Sequence, residues 1–221
     1  MHKSMPLSSE IRSLLIKGLE QTNIEPIEEL IFNFTFYLNE LKRWNRAYNL
    51  TSLKSDRTII TKHFFDSLLY LPFLENGVRS LADVGSGAGF PGLVLKIVKP
   101  ELVIHLIEPS RKKVAFLKHM TFKLGLKDLY IHQQRVEEIS INVDAVSSRA
   151  LFKIKEFIRK ASHLLRSGGI MIFNKGPEVQ KELKELQDLQ EVNKITFSKI
   201  EVFERLLPTT DIKRYIVVVK L

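Results

Sequence analysis

The chain has 221 residues, 44% of them hydrophobic, enough for one large domain or one domain with an extension. It has no cysteine, which excludes disulfides, thiolate zinc sites, iron–sulfur clusters and a cysteine nucleophile. Lys and Arg exceed Asp and Glu by 34 to 25, a net charge of +9. No apolar run approaches the roughly 18 residues of a membrane span, and the polar stretch Met1 to Glu10 lacks the core of a secretory signal. A cytoplasmic protein with no membrane association is expected.

A short helical pattern lies around Ile11 to Leu19. From about residue 26 to 46, Ile27, Leu30, Ile31, Phe34, Leu38, Leu41 and Trp44 recur at steps of three and four, which predicts an amphipathic helix. Another helix follows Asp56, a candidate N-cap, through Ile59, Ile60, Phe64 and Leu68. Residues 1–72 thus read as a helical extension.

In residues 73–221 short apolar runs alternate with helical stretches. Strands are predicted at Ser80–Val84, Leu102–Ile107, Leu129–His132, Asp144–Ser147 and Ile170–Asn174, with helices at Pro91–Val98, Ser110–Leu124 and Lys153–Leu165. That alternation implies a parallel sheet with helices on both faces. Pro177–Val192 reads as a further helix, with Val179, Leu183, Leu186 and Leu189 on one side. Two β-rich runs, Lys194–Phe203 and Tyr215–Val219, flank a loop at Leu206–Lys213 and suggest an antiparallel hairpin at one sheet edge. The two parts are expected to pack as one globular unit.

Charge is unevenly spread. Residues 41–63 carry six basic residues, Lys42, Arg43, Arg46, Lys54, Arg57 and Lys62, against one acid, Asp56. Residues 109–127 carry six more and no acid. Such clusters suit a polyanion, because each phosphate contact releases counterions; a solvated basic surface is the plainer explanation.

Four of the ten glycines fall in eight residues, Gly85 to Gly92. Gly87-Ala88-Gly89-Phe90-Pro91-Gly92 satisfies the G-x-G-x-x-G pattern after a predicted strand, at the edge where open parallel sheets bind ligands. Glu108, 19 residues after Gly89, ends the second strand where an acid takes ribose hydroxyls. Both a dinucleotide and S-adenosylmethionine fit that far. Asp83, just ahead of the loop, favours the second: it would repel a pyrophosphate and suits the ammonium of a methionine moiety. A helix starting near Pro91 offers N–H groups to a carboxylate. The expected fold is a Rossmann-like class I S-adenosylmethionine methyltransferase. It has a seven-stranded, mostly parallel sheet and an antiparallel terminal hairpin.

Several segments together resemble one family. Trp44-Asn45-Arg46-Ala47-Tyr48-Asn49-Leu50-Thr51, His63-Phe64-Phe65-Asp66-Ser67-Leu68, Asp83 to Gly92, Ser148-Arg149-Ala150 and Lys175-Gly176 follow the order seen in the RsmG (GidB) family of bacterial 16S rRNA guanine-N7 methyltransferases. The likeness covers the chain from about residue 25. It implies methyl transfer from S-adenosylmethionine to a guanine N7 in the decoding-region loop of 16S rRNA, free or in a small-subunit assembly intermediate. It also implies cofactor contacts at Gly85, Phe90, Val136, Glu137 and Arg149, beside Asp83, Gly87, Gly89 and Glu108. Where the family often has Asp-Ser, this chain has Glu108-Pro109-Ser110, an acid one methylene longer.

Guanine N7 has an in-plane lone pair and no proton, so it attacks the methyl without a general base. Catalysis is then mainly in-line alignment. The Asn-Pro-Pro-aromatic loop of amino-methylating enzymes is absent; Ser147-Ser148-Arg149-Ala150 takes its place. Arg149 there either stacks on a base or holds a phosphate, or it anchors the strand end. His63 and Asp66, three apart on one helix face, either lie over the pocket or share a surface hydrogen bond. Asn49, Tyr48 and Trp44 either meet unpaired bases or serve the fold, Asn49 by turning the chain and Trp44 in the core. Arg111, Lys112 and Lys113 open a helix against its dipole, which points to phosphate contacts, or for Lys113 to snorkelling. Lys175 joins Asn49, His63, Asp66, Arg111, Lys112 and Lys113 as a candidate substrate or RNA contact. No metal is expected, and the chain is expected to act as a monomer. The competing readings are a methyltransferase of the same fold acting on another RNA or a small molecule, and a non-catalytic RNA-binding assembly factor.

Overall fold

Ser8 caps the first helix, α1 (Ser9–Gln21), by accepting a hydrogen bond from the Ile11 N–H on its side-chain oxygen at 3.3 Å. α2 (Glu28–Tyr48) carries Glu28 and Glu29 in its first turn, where the helix dipole favours anions, and ends on Asn49 in the left-handed region at φ 51°. The next helical segment starts one residue earlier than the sequence suggests. Ser55, not Asp56, is the N-cap, accepting from the Thr58 N–H at 3.2 Å, and Asp56 opens α3 (Asp56–Ile59). The backbone then widens into a π-helix at Ile60–Phe65 and tightens again in α4 (Asp66–Leu68). The computed structural model describes residues 5–75, 77–149, 153–191 and 197–221. Ala150, Val192 and residues 194–196 of the predicted elements lie outside them.

Seven strands follow: β1 (Ser80–Val84), β2 (Val103–Ile107), β3 (Leu129–His132), β4 (Val143–Arg149), β5 (Leu165–Lys175), β6 (Lys199–Leu206) and β7 (Lys213–Lys220). Between them lie α5 (Gly92–Val98), α6 (Arg111–Lys123), α7 (Ile154–Ala161) and α8 (Val179–Glu191). The sheet order is β3-β2-β1-β4-β5-β7-β6. β1 to β5 pair in parallel, and β7 runs antiparallel to both β5 and β6. The expected terminal hairpin is present, with its second strand inserted inside its first. β4 reaches two residues further than expected: Ser148 and Arg149 pair with Phe173 and Asn174, so Arg149 sits on a strand end. The predicted helix Lys153–Leu165 closes early, in a 3₁₀ turn at Ser162–Leu164.

One sheet face packs against α7 and α8 through Phe157, Ile158, Val179 and Leu186. On the other, Leu15, Leu19, Phe34, Tyr37, Leu38, Leu41, Phe64 and Phe65 share one cluster with Phe90, Leu93, Leu106 and Phe116. The early helices are therefore a layer of the core, each fully buried aromatic contributing about 1.5–3 kcal/mol. Trp44 packs on that cluster, partly buried, beside Phe116. Among the described residues, no helix is long and apolar enough to cross a membrane.

Candidate active site at the carboxyl edge of the sheet

The glycine loop leaves β1 as a tight turn. Gly85 and Ser86 donate to the Ile107 carbonyl at 2.8 and 3.2 Å, and Gly89 and Phe90 donate back to the Ser86 carbonyl at 2.7 and 2.9 Å. Gly89 holds φ 97°, and a Cβ there would fall 2.4 Å from Leu93 Cδ1 and 2.7 Å from the Tyr37 hydroxyl. That glycine makes room for the protein's own side chains. Gly87, at φ 59°, is different: a Cβ there would meet only the Gly85 carbonyl, at 3.8 Å, so the space beside it is open.

Both acids brace this loop. Asp83 is fully buried; its Oδ2 accepts from the Gly92 N–H at 2.9 Å and its Oδ1 from the Ser147 hydroxyl at 3.4 Å. Burial pushes its carboxyl up to about 6, against the pull of the Gly92 N–H and of Arg149. Asp83 thus takes the first N–H of α5, and Pro91 is the N-cap residue rather than the first helical one. Glu108, 4% exposed, accepts from the Gly87 N–H on Oε2 and the Ser110 N–H on Oε1, both at 2.9 Å, with Lys113 Nζ at 3.7 Å. Each carboxylate oxygen has two lone pairs, so Glu108 keeps acceptor capacity beside the open space at Gly87.

Phe90 is the hub of the site. The His63 ring stacks on it at 4.3 Å and 16°, Tyr37 lies parallel at 5.4 Å, and the Arg149 guanidinium sits 5.1 Å from its centroid. His63 is held by Thr51, whose hydroxyl is 2.7 Å from Nε2, and Thr51 is clamped by Asn45 through two 2.9 Å bonds. Burial first, and Arg149 second, push the His63 imidazole down to about 3, so it is neutral at pH 7. Asp66, 5% exposed, lies between two guanidinium groups, with Arg214 Nε at 2.7 Å and Arg149 at 3.7 Å. Arg149 also donates to the Lys62 carbonyl at 3.1 Å. The structure thus brings together His63, Asp66, Phe90 and Arg149 from three separate segments.

The remaining candidates are more dispersed. Val136 is buried in a 3₁₀ turn after β3, and the Glu137 carboxylate is ion-paired with Lys160. Lys175, 10% exposed, reaches Glu182 at 3.0 Å, turned toward α8 rather than toward solvent. Asn49 is the exposed left-handed cap of α2 and lines a groove of about 720 Å³ with Lys42, Asn45, Arg46 and Lys54. Arg111 and Lys112 are exposed at the start of α6. Glu40 on α2 binds both Arg43 and His119 of α6, at 2.5 Å each, and so lays the two basic segments side by side.

Three contributors escaped sequence reasoning. Tyr37 donates to the Ala88 carbonyl at 2.5 Å, Tyr70 to the Ser148 carbonyl at 3.2 Å, and Arg214 holds Asp66. Tyr37 lies three residues after Phe34 and four before Leu41, so its periodicity could have found it. Arg214 has no local signal, since its contact depends on where β7 inserts.

The fold is that of S-adenosylmethionine-dependent methyltransferases. An O-methyltransferase of that kind from Thermotoga maritima superposes with a TM-score of 0.56 at 19% identity, covering 83% of this chain and 70% of its own. TYW2 from M. jannaschii, solved in complex with AdoMet, gives 0.52 at 16% identity, covering 69% and 72%. A family model described as rRNA small subunit methyltransferase G matches residues 31–208. Ribosomal RNA small subunit methyltransferase G of Neisseria meningitidis serogroup C is 33% identical over 214 residues, 96% of this chain and 99% of its own. That of Legionella pneumophila is 35% identical over 196 residues, 88% and 92%. The chain belongs to the rRNA small subunit methyltransferase G family, a family of S-adenosylmethionine-dependent methyltransferases.

Proposed function

We propose that the chain methylates N7 of a guanine in the decoding-region loop of 16S rRNA. The residues present fit the cofactor: open space at Gly87, and a buried acid with spare lone pairs at the end of β2. When bound, the cofactor supplies a methyl group activated by an adjacent sulfonium. Glu108 would take the ribose hydroxyls and the Val136–Glu137 turn would contact the adenosine end, while Asp83 holds the start of α5 in place. Phe90, buried between His63 and Tyr37, supports the Arg149 guanidinium, whose plane is suited to stack on the guanine or pin its phosphate.

The single observation that carries the N7 assignment is the lack of a competent base in this cluster. His63 is held down to about 3, and the Asp83 carboxylate is fully buried on the Gly92 N–H and the Ser147 hydroxyl, away from solvent. Asp66 is committed to Arg149 and Arg214, so a nucleophile that must lose a proton finds no free acceptor in this cluster, whereas N7 needs none. Catalysis is then alignment, for which effective molarities of about 10⁵–10⁸ M are the general scale. The test is transfer of labelled methyl to 16S rRNA from cells lacking the modification. Labelled 7-methylguanosine at one position is expected; label on cytosine or adenine overturns the assignment.

A further inference from the structure

Helix α6 has two unlike faces. Its inner face is packed by Val114, Phe116, Leu117 and Met120 and pinned to α2 through His119 and Glu40. Its outer face exposes Arg111, Lys112, Ala115, Lys118, Phe122 and Lys123. Arg111, Ala115, Lys118 and Phe122 follow one another at steps of four, three and four, hence on one stripe. Among the described residues, Arg111, Lys112, Lys118 and Lys123 have no carboxylate partner, whereas Lys113, Lys42 and Arg43 are all paired. No acid occurs between residues 109 and 127 to neutralise them. Phe122 is 82% exposed, the most exposed large hydrophobic among the described residues, and overhangs a depression of about 450 Å³ lined by Lys118, Thr121, Gly125, Leu126 and Ile131.

An aromatic ring presented to water between two unpaired lysines matches the two needs of an unpaired nucleotide, a flat surface for the base and cations for its phosphates. We infer that the outer face of α6 is a second RNA contact, remote from the methyl-transfer site, in which Phe122 stacks an unpaired base while Lys118 and Lys123 hold the flanking phosphates. A helix rises about 1.5 Å per residue, so Phe122 stands roughly 16 Å along the axis from Arg111 at the site end. The track thereby joins the glycine-loop side of the sheet to its opposite edge. This contact rests on rRNA being the substrate and adds to it a binding determinant outside the pocket.

The test measures binding of full-length protein to deproteinised 16S rRNA across a salt series, together with methylation kinetics. Phe122→Leu, which keeps an apolar side chain without the ring face, is expected to raise Kd and KM roughly fivefold to a hundredfold. Phe122→Trp is expected to restore both. Lys118→Ala and Lys123→Ala should each lower the slope of log K against log salt by roughly 0.7. Lys181→Ala, an exposed lysine paired with Glu178 elsewhere, serves as the unchanged control. Wild-type binding by both Phe122→Leu and the lysine variants overturns the inference and leaves the proposed methylation standing. Absence of label with the wild type overturns the methylation, and the binding series still decides the α6 contact by the same criteria. A defect seen only when ribosomal proteins are present, or a self-association that Phe122→Leu abolishes, overturns the RNA contact in favour of a protein surface.

Discussion

Tyr37 and Ala88 lie 51 residues apart, yet the tyrosine hydroxyl donates to the Ala88 carbonyl at 2.5 Å inside the buried core. This bond fixes the middle of the glycine loop from a helix that precedes the sheet. Tyr37→Phe keeps the ring stack on Phe90 and leaves a buried carbonyl without its donor. A loss of about 1–3 kcal/mol in unfolding free energy is expected, with weaker cofactor binding by calorimetry. Unchanged stability and affinity would remove the loop-fixing role.

Asp83 titrates at about 6 in the folded chain against an ordinary 3.8. Between those values the folded chain retains a proton that the unfolded chain has released, so stability from this group falls as pH rises through the window and is level above it. The fall is about 3 kcal/mol, at about 1.4 kcal/mol per unit. Asp83→Asn, neutral throughout and still able to accept from Gly92, is expected to remove that fall in urea midpoints measured from about pH 4 to 7. A variant with the wild-type slope contradicts the placement of the acid.

His63 works in the opposite sense. Its depressed value, about 3 against 6.5, gives stability that is present above the unfolded value and lost as pH falls through the folded one. It therefore does not change charge between pH 6 and 8. The methylation rate is expected to be flat over that range in single-turnover assays, since no general base titrates. A sigmoid rise near pH 6.5 that His63→Asn abolishes would falsify the base-free mechanism.

Asp66 is the shared counter-charge of Arg149 and Arg214. Asp66→Ala leaves both cations unpaired in a largely buried position. The expected cost is about 3 kcal/mol, the low end for broken buried pairs because both guanidinium groups retain some solvent. Turnover should fall with it, because Arg149 loses its fixed place over Phe90. Arg149→Lys is expected to restore charge but not turnover, since an ammonium lacks the planar face.

Gly87 and Gly89 separate two uses of glycine. Gly89→Ala meets Leu93 and Tyr37 at positive φ and is expected to cost about 3 kcal/mol or more in stability. Gly87→Ala has open space and should cost about 1–2 kcal/mol for its backbone alone, while cofactor affinity drops disproportionately. Equal losses of stability in the two variants would mean that the open space at Gly87 has no special role.

Much of this site was legible from residue type and spacing. β1 and β3 have their predicted bounds, and Asp83, Phe90 and Glu108 gather at the expected sheet edge. What escaped reading has physical causes. Ile60 and Phe64 keep a four-residue step, so apolar periodicity cannot distinguish the π-helical turn that presents His63 from ordinary α-helix. Asp83 suits an ammonium by type, and only the fold shows that its oxygens also accept from the Gly92 N–H and the Ser147 hydroxyl. Lys175 reads as a cation for RNA until α8 brings Glu182 to it. Arg214 depends on a strand inserted between two others, which no local pattern encodes.

The helical layer has a last consequence, for how this chain can be cut. A basic appendage that only attracted RNA could be trimmed or exchanged without disturbing the catalytic half. Here Tyr37 ties down the glycine loop and Tyr70 the end of β4, which together frame the pocket, and Phe64 and Phe65 fill the core beneath them. A fragment beginning at residue 73 would bare Phe90 and Phe116 to water and release the Ala88 carbonyl from its donor. The minimal catalytic unit is therefore longer than the sheet and its flanking helices, and proteolysis in the 49–55 turn is a cut through the enzyme rather than at its margin.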